Sequence, residues 1–190
     1  MVNPLDAMAW VIGANAVILA IAALKLPYKA SKGSVDEEAK NQRIGYSLAL
    51  GAGGLFLVLN GLFIMWSGTF ADHYTVMFGG VATLGGLVVF AGALALYLNI
   101  SLSVISYFAG IIGAYVATAA YAILDYGLTR NPNLATLGYL SAAGALVFSI
   151  PAVHVEGKWA RVLFAIFALL FAVAWLYQGF EFTHGHMDPS

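Results

Sequence analysis

Six apolar segments, each roughly 20 residues long or slightly longer, dominate this sequence. An α-helix needs roughly 20 apolar residues to cross the hydrocarbon core of a bilayer, whereas a β-barrel strand needs about 10 of alternating polarity. The chain is 62% hydrophobic and 9% charged, whereas soluble domains carry about 25% charged residues. The sequence therefore predicts an all-α membrane protein, one integral domain over residues 1–190. Its six transmembrane helices in one bundle are predicted at residues 6–26, 45–66, 76–98, 102–126, 135–155 and 159–180.

Basic residues are concentrated in and directly beside the first and fifth connections between these segments. Seven of them are predicted on one side of the membrane: Lys25, Lys29, Lys32, Lys40, Arg43, Lys158 and Arg161. The opposite side holds Arg130. Because short cytoplasmic loops carry the excess of Lys and Arg, residues 27–44 are predicted to form a cytoplasmic loop. An even number of helices then places both termini outside a cell membrane, with residues 181–190 as an external tail.

Ionisable side chains avoid the centres of the six segments. No Lys, Arg, Asp or Glu lies there, although ion-coupled pumps and carriers place such groups near the membrane centre. A net charge of −1 also argues against a nucleic-acid partner, which needs a basic face. The polar residues near the centres either hydrogen-bond between helices or line a path for a small neutral solute. These pore or interhelical candidates are Asn15, Asn60, Thr83, Tyr115, Thr118 and Ser149.

The C-terminal tail contains a cluster of residue types that bind metals. His184, His186 and Asp188 lie close together in sequence, and His73 is predicted on the same side of the membrane. Imidazole and carboxylate groups bind Cu or Zn, so these residues are candidate ligands of a metal at the outer face. A solvated tail without metal is the alternative. The sequence has no cysteine, catalytic triad or phosphate-binding loop, which favours a protein that is not an enzyme.

Several motifs in the second half of the chain resemble one known family. They are Tyr74-Thr75-Val76-Met77-Phe78-Gly79, Ile105-Ser106-Tyr107-Phe108-Ala109-Gly110, Gly127-Leu128-Thr129-Arg130-Asn131-Pro132 and Tyr139-Leu140-Ser141-Ala142-Ala143-Gly144. They are similar to a prokaryotic membrane family known as domain of unknown function 981. The sequence departs from that family at Thr75 and Gly80, where Asn and Asp are expected. The resemblance extends over helices three to six and implies a polytopic membrane fold without a particular activity.

Three functions are compatible with these features. The first is a passive channel or facilitator for a small neutral solute such as ammonia, urea, an amide or a gas, which the uncharged helix centres indicate. In length and helix count the chain is also similar to the acid-activated urea channel and amide transporter family, although that family's acidic–Trp motifs are absent. The second is an accessory subunit of a respiratory or metal-dependent oxidase complex, and the third is a metal-binding protein. Small residues spaced four apart, such as Ala49 and Gly53, favour close packing within the chain or in a homo-oligomer.

Overall fold

The chain folds into long α-helices connected by short segments. The structure is a computed structural model, and it describes residues 4–26, 37–68 and 70–187, without the side chain of His186. Six helices in this described part are long and apolar enough to cross a membrane, which confirms the predicted all-α fold and the helix count. They are α1 (Pro4–Lys25), α2 (Glu37–Ser67), α3 (Asp72–Leu98), α4 (Ser103–Tyr126), α5 (Pro132–His154) and α6 (Lys158–Met187).

Two of these helices extend beyond the apolar segments from which they are predicted. α2 begins at Glu37, inside the predicted loop, and α6 continues to Met187, inside the predicted tail. Hydropathy detects only the part of a helix that faces hydrocarbon, whereas a helix can continue into water where its termini are stabilised. Acidic residues in the first turn of α2, Glu37 and Glu38, stabilise the positive end of its dipole. Residues 27–36 and 188–190 of the loop and the tail lie outside the described residues.

The six helices pack in chain order around a ring. Each helix lies against the preceding and the following one, and α6 closes the ring against α1. At this closure the Trp10 Nε1–H donates to Thr183 Oγ1 at 3.0 Å. Consecutive helices are antiparallel, so α1 begins and α6 ends at the same end of the ring, which we call the terminal end. The opposite end contains Lys25, Arg43 and Lys158, and we call it the basic end.

Glycine permits a very close contact between α2 and α3. A Cβ on Gly54 would lie 2.7 Å from the backbone nitrogen of Phe90, and a Cβ on Gly86 would lie 2.8 Å from the carbonyl oxygen of Gly54. Helices in lipid associate through packing because the hydrophobic effect between them is weak, and small residues allow their backbones to approach. This contact therefore fixes the position of α3 on α2.

The most loosely packed neighbours in the ring are α3 and α4. Residues 99–102 connect them, and Asn99 ends α3 in the left-handed conformation with φ 56°. Toward the terminal end, the Tyr115 hydroxyl of α4 donates to the Val76 carbonyl of α3 at 3.4 Å. The loose packing of this pair leaves space on the inner side of the ring.

Candidate functional site: an apolar cavity between an aromatic cluster and two arginines

A cavity of about 890 Å³ lies inside the ring, and all six helices contribute to its lining. On α1 the lining residues recur every three or four positions and include Met8, Ile12, Asn15, Leu19, Ala22 and Leu26. At about 1.5 Å per residue, Met8 and Leu26 are about 27 Å apart along the helix axis. The cavity therefore extends along the axis of the ring. Its volume falls within the range of about 300–1,000 Å³ that is typical of ligand sites.

Small and aliphatic side chains form most of the cavity wall. Leu19, Leu50 and Val89 are examples from three helices. Two glycines of α3, Gly85 and Gly92, also line the cavity, and a Cβ on either of them would meet no atom within 4 Å. A spacing of seven residues places both on one face of the helix. The cavity is therefore wide along α3 because these positions carry no side chain.

Aromatic side chains line the cavity toward the terminal end. The centroid of the Trp175 ring lies 6.5 Å from that of Phe78, 6.2 Å from that of Tyr139 and 6.3 Å from that of Phe171. We call these four residues the aromatic cluster. The Tyr139 hydroxyl donates to the Met77 carbonyl at 3.0 Å and joins α5 to α3 across the ring. Aromatic pairs of this kind stabilise by about 0.5–1.5 kcal/mol each, so the cluster helps to hold α3, α5 and α6 together at this end.

The position of the aromatic cluster depends on a π-helical turn in α3, Thr75–Gly80. A π-helical turn is wider than an α-helical turn. Such turns occur mostly singly within α-helices and frequently at functional sites. Tyrosine hydroxyls from α4 and α5 donate to two consecutive carbonyls of the turn, those of Val76 and Met77. A Cβ on Gly80 would lie 2.7 Å from the Tyr115 hydroxyl oxygen. The glycine at this position, which departs from the pattern of the resembled family, therefore makes space for that tyrosine.

Arginines lie at the opposite end of the cavity, and we call Arg43 and Arg161 the arginine pair. Arg43 of α2 donates through Nη1 to Asn99 Oδ1, and Arg161 of α6 donates through Nη2 to the Leu26 carbonyl. The Nε of Arg43 is buried and has no acceptor among the described residues. Within the described part of the chain, these arginines are the only charged residues that line the cavity. The charge of the lining is therefore positive and confined to the basic end.

The first turn of α4 lies beside the arginine pair. Ser103, its first residue, lines the cavity together with Ser101, and the Ser103 N–H donates to Ser101 Oγ at 3.2 Å. The first turn of a helix carries the positive end of the helix dipole. This turn therefore adds to the positive potential of the arginine pair.

Comparison with known proteins identifies the family of this chain. The family described as "Protein of unknown function (DUF981)" matches residues 1–189. The chain belongs to the DUF981 family. The match confirms the resemblance found in the motifs and extends it from helices three to six to almost the whole chain. No curated protein and no solved structure significantly matches this DUF981 member.

Two of the predicted pore or interhelical candidates line the cavity of the DUF981 member. Asn15 is buried at the contact of α1 with α2, where a Cβ on Gly53 would overlap its amide, and its Nδ2 has no acceptor among the described residues. Ser149 Oγ donates to the Leu146 carbonyl at 2.6 Å within its own helix. Both side chains therefore line the cavity and also contact their neighbours: Asn15 packs against α2, and Ser149 hydrogen-bonds within α5.

The other four candidates lie away from the cavity lining. Tyr115 bridges α4 to α3, as described above. The hydroxyls of Thr83 and Thr118 donate to carbonyls one turn earlier in their own helices, at 2.8 Å and 3.1 Å. Asn60 is half-buried on α2. The six candidates lie near the middle of their predicted helices, but in the structure their side chains face in different directions.

The predicted metal ligands are not gathered in the described part of the DUF981 member. His73 is exposed, with its ring centroid 4.2 Å from that of Tyr74, and His184 is exposed and stacks on Phe180 at 5.8 Å. No three His, Asp or Glu residues among those described lie close enough together to hold a metal ion. The side chain of His186 and all of Asp188 lie outside the described atoms. A Cu or Zn site at this end stays a prediction.

From the sequence, Arg43 and Arg161 of this DUF981 member are predicted only to mark one side of the membrane, not to line a cavity. A signal was nevertheless present in the sequence, because Arg161 lies inside the predicted sixth apolar segment rather than in a loop. Charged residues within such segments usually face the interior of a helix bundle or a cavity. Arg43 offers no comparable signal, since it precedes the second segment within a mixed run of acidic and basic residues.

Proposed function

We propose that this DUF981 member is a multi-pass membrane protein that binds an elongated, mainly apolar molecule inside its ring of helices. The observation that carries this proposal is the cavity of about 890 Å³ with its apolar wall. An apolar space of this size lowers stability if it is left empty, because the side chains that line it lose contacts. A molecule that fills this space and contacts these side chains would therefore stabilise the folded protein.

Water is a poor occupant for the middle of this cavity. A buried water makes about three hydrogen bonds to polar groups of the protein. The polar side chains there are Asn15, Ser106 and Ser149. Both serine hydroxyls already donate to carbonyls, Ser106 to that of Ser103 at 2.8 Å, so among these three side chains only the Asn15 amide nitrogen is an unpaired donor that a water could satisfy. A hydrocarbon chain fits such a wall better, because it needs no hydrogen-bonding partner.

Binding of hexadecanol to the purified protein tests this proposal. We expect saturable binding at about one molecule per chain, measured by native mass spectrometry after extraction in a mild detergent. Uptake that rises with the hexadecanol concentration without saturating, as in protein-free micelles, would reject the proposal.

The basic end is proposed to face the cytoplasm of a cell membrane. The distribution of basic residues supports this orientation through the positive-inside rule. Because the chain has no cysteine, Lys158→Cys introduces a single thiol at the basic end and Gly185→Cys introduces one at the terminal end. In intact cells a membrane-impermeant maleimide is expected to label the second variant and not the first. The reverse labelling would invert the orientation.

A passive channel for a small neutral solute is the second candidate. It is favoured by a cavity that follows the ring axis and by a lining that, among the described residues, has no Asp, Glu or Lys. In a channel the aromatic cluster would be the barrier. Trp175→Ala is therefore expected to raise the permeability of proteoliposomes to urea or ammonia in stopped-flow experiments. Trp66→Ala, at a position that is 83% exposed, is the matched control and leaves permeability unchanged. Equal permeability of both variants and the wild type would reject this candidate.

Assembly into a homo-oligomer or a larger membrane complex also stays a prediction. Small residues on the helices support such assembly, because they allow helices of neighbouring chains to approach closely. The mass of the native species in a mild detergent tests it, because a species with the mass of one chain would contradict both forms of assembly.

A further inference from the structure

We infer that the molecule held in the cavity is an anionic amphiphile, whose headgroup lies against Arg43 and Arg161 and whose apolar chain extends toward the aromatic cluster. This inference rests on the proposed function of the cavity and names the chemical class of its occupant. It assigns a binding role to Arg43 and Arg161, beyond their hydrogen bonds to Asn99 and Leu26.

The sign and position of the charges support an anionic headgroup. Both charged residues of the described lining are arginines, and both lie at the same end of a wall that is otherwise almost apolar. Acidic residues are also present at the basic end, namely Glu37, Glu38 and Glu156, but none of them lines the cavity. The positive end of the α4 dipole lies at the same place. The charged side chains that a ligand meets along the described lining at this end are therefore positive.

The surroundings of Arg43 indicate that an acceptor would be favourable there. Its guanidinium donates to a neutral amide oxygen, that of Asn99, and its buried Nε has no acceptor among the described residues. A buried donor without an acceptor lowers stability, and more so when the group is charged. A guanidinium has five N–H donors in a planar arrangement that matches carboxylate or phosphate oxygens. A headgroup of that type would supply both the missing acceptors and the opposite charge.

The length of the cavity suits the apolar part of such a ligand. Its lining on α1 extends about 27 Å from Leu26 to Met8. One leaflet of a bilayer has about half of the roughly 30 Å hydrocarbon thickness, so a lipid chain spans about 15 Å. A chain that starts at the arginine pair can therefore lie fully inside the ring. Its headgroup is then at the end of the helices, where the headgroups of the surrounding lipids also lie.

Probes of one chain length and different headgroups test this inference. We expect palmitate or hexadecyl phosphate to bind the wild-type protein about tenfold more tightly than hexadecanol, and hexadecyltrimethylammonium to bind most weakly. The stronger of the two anions identifies the headgroup as a carboxylate or a phosphate. Arg43→Gln and Arg161→Gln should each weaken binding of the anions about tenfold and change hexadecanol binding by less than about twofold. Lys158→Gln removes an exposed charge of the basic end outside the lining and should change neither.

The outcomes separate this inference from the proposed function. If all four probes bind equally and the arginine variants behave like the wild type, the anionic headgroup is rejected and the apolar binding site stands. If no probe binds, the binding site itself is rejected. Hexadecanol binding reports whether each arginine variant is folded. If a variant no longer binds hexadecanol, the inference is tested by comparing the four probes on the wild-type protein. A preference of the wild-type protein for the alcohol or the ammonium probe would overturn the inference.

Discussion

Replacing Gly85 and Gly92 together by leucine is expected to abolish hexadecanol binding while the protein remains folded. Both positions line the cavity, and a Cβ on either would meet no atom within 4 Å. The two leucine side chains would therefore extend from these open positions into the space of the ligand chain. Glycine is also about 1 kcal/mol less favourable than alanine within a helix, so the melting temperature should be unchanged or higher. Native mass spectrometry and thermal melting measure the two effects, and we expect affinity to fall by at least about tenfold, because the substituted side chains occupy the ligand's space.

Gly45→Leu is the matched control for this double variant. A Cβ on Gly45 also meets no atom within 4 Å, but the residue is exposed on α2 and does not line the cavity. Its replacement tests whether an added leucine on an open helix face is harmless in itself. Undiminished binding by the double variant, or an equal loss in the control, would contradict the placement of the ligand in the cavity.

Gly86→Val is expected to prevent α2 and α3 from packing, whereas Gly85→Val at the adjacent position is tolerated. A Cβ on Gly86 would lie 2.8 Å from the carbonyl oxygen of Gly54, and a backbone atom can move away only if the helices separate. Overpacking of this kind costs about 1–3 kcal/mol and occasionally more. The yield of monodisperse protein in size-exclusion chromatography and its melting temperature should fall for Gly86→Val and remain near the wild-type values for Gly85→Val.

Gly54→Val provides an independent check of the same helix contact from the other side. Its Cβ would lie 2.7 Å from the backbone nitrogen of Phe90, so the same loss of folded protein is expected. Equal stability of the Gly85 and Gly86 variants would show that α3 is rotated differently about its axis. That result would also remove Gly85 from the cavity wall, so this pair of variants tests the geometry on which the binding proposal depends.

The helices could be predicted from the sequence more completely than the site. Hydropathy is a property of each residue, so six apolar segments are sufficient to predict six helices. The ends of α2 and α6 were not predictable in this way, because the residues from Glu37 to Ile44 and from Glu181 to Met187 include many that are charged or polar. For the polar candidates, the sequence indicates a position along each helix but not the direction in which the side chain faces. Thr118 faces away from the cavity while Ser149 lines it, although both were selected by the same criterion.

The sequence by itself determined that this chain is helical, how many helices are long and apolar enough to cross a membrane, and which connections are basic. These properties follow locally, since unpaired backbone groups and charges are costly in hydrocarbon wherever they occur. Only the tertiary structure decided that the helices form a ring around a cavity, that Tyr139 bonds to the Met77 carbonyl across that ring, and that Arg43 and Arg161 share its basic end. These relations depend on how each helix is rotated about its axis and on contacts between residues far apart in the chain, which composition and spacing do not specify.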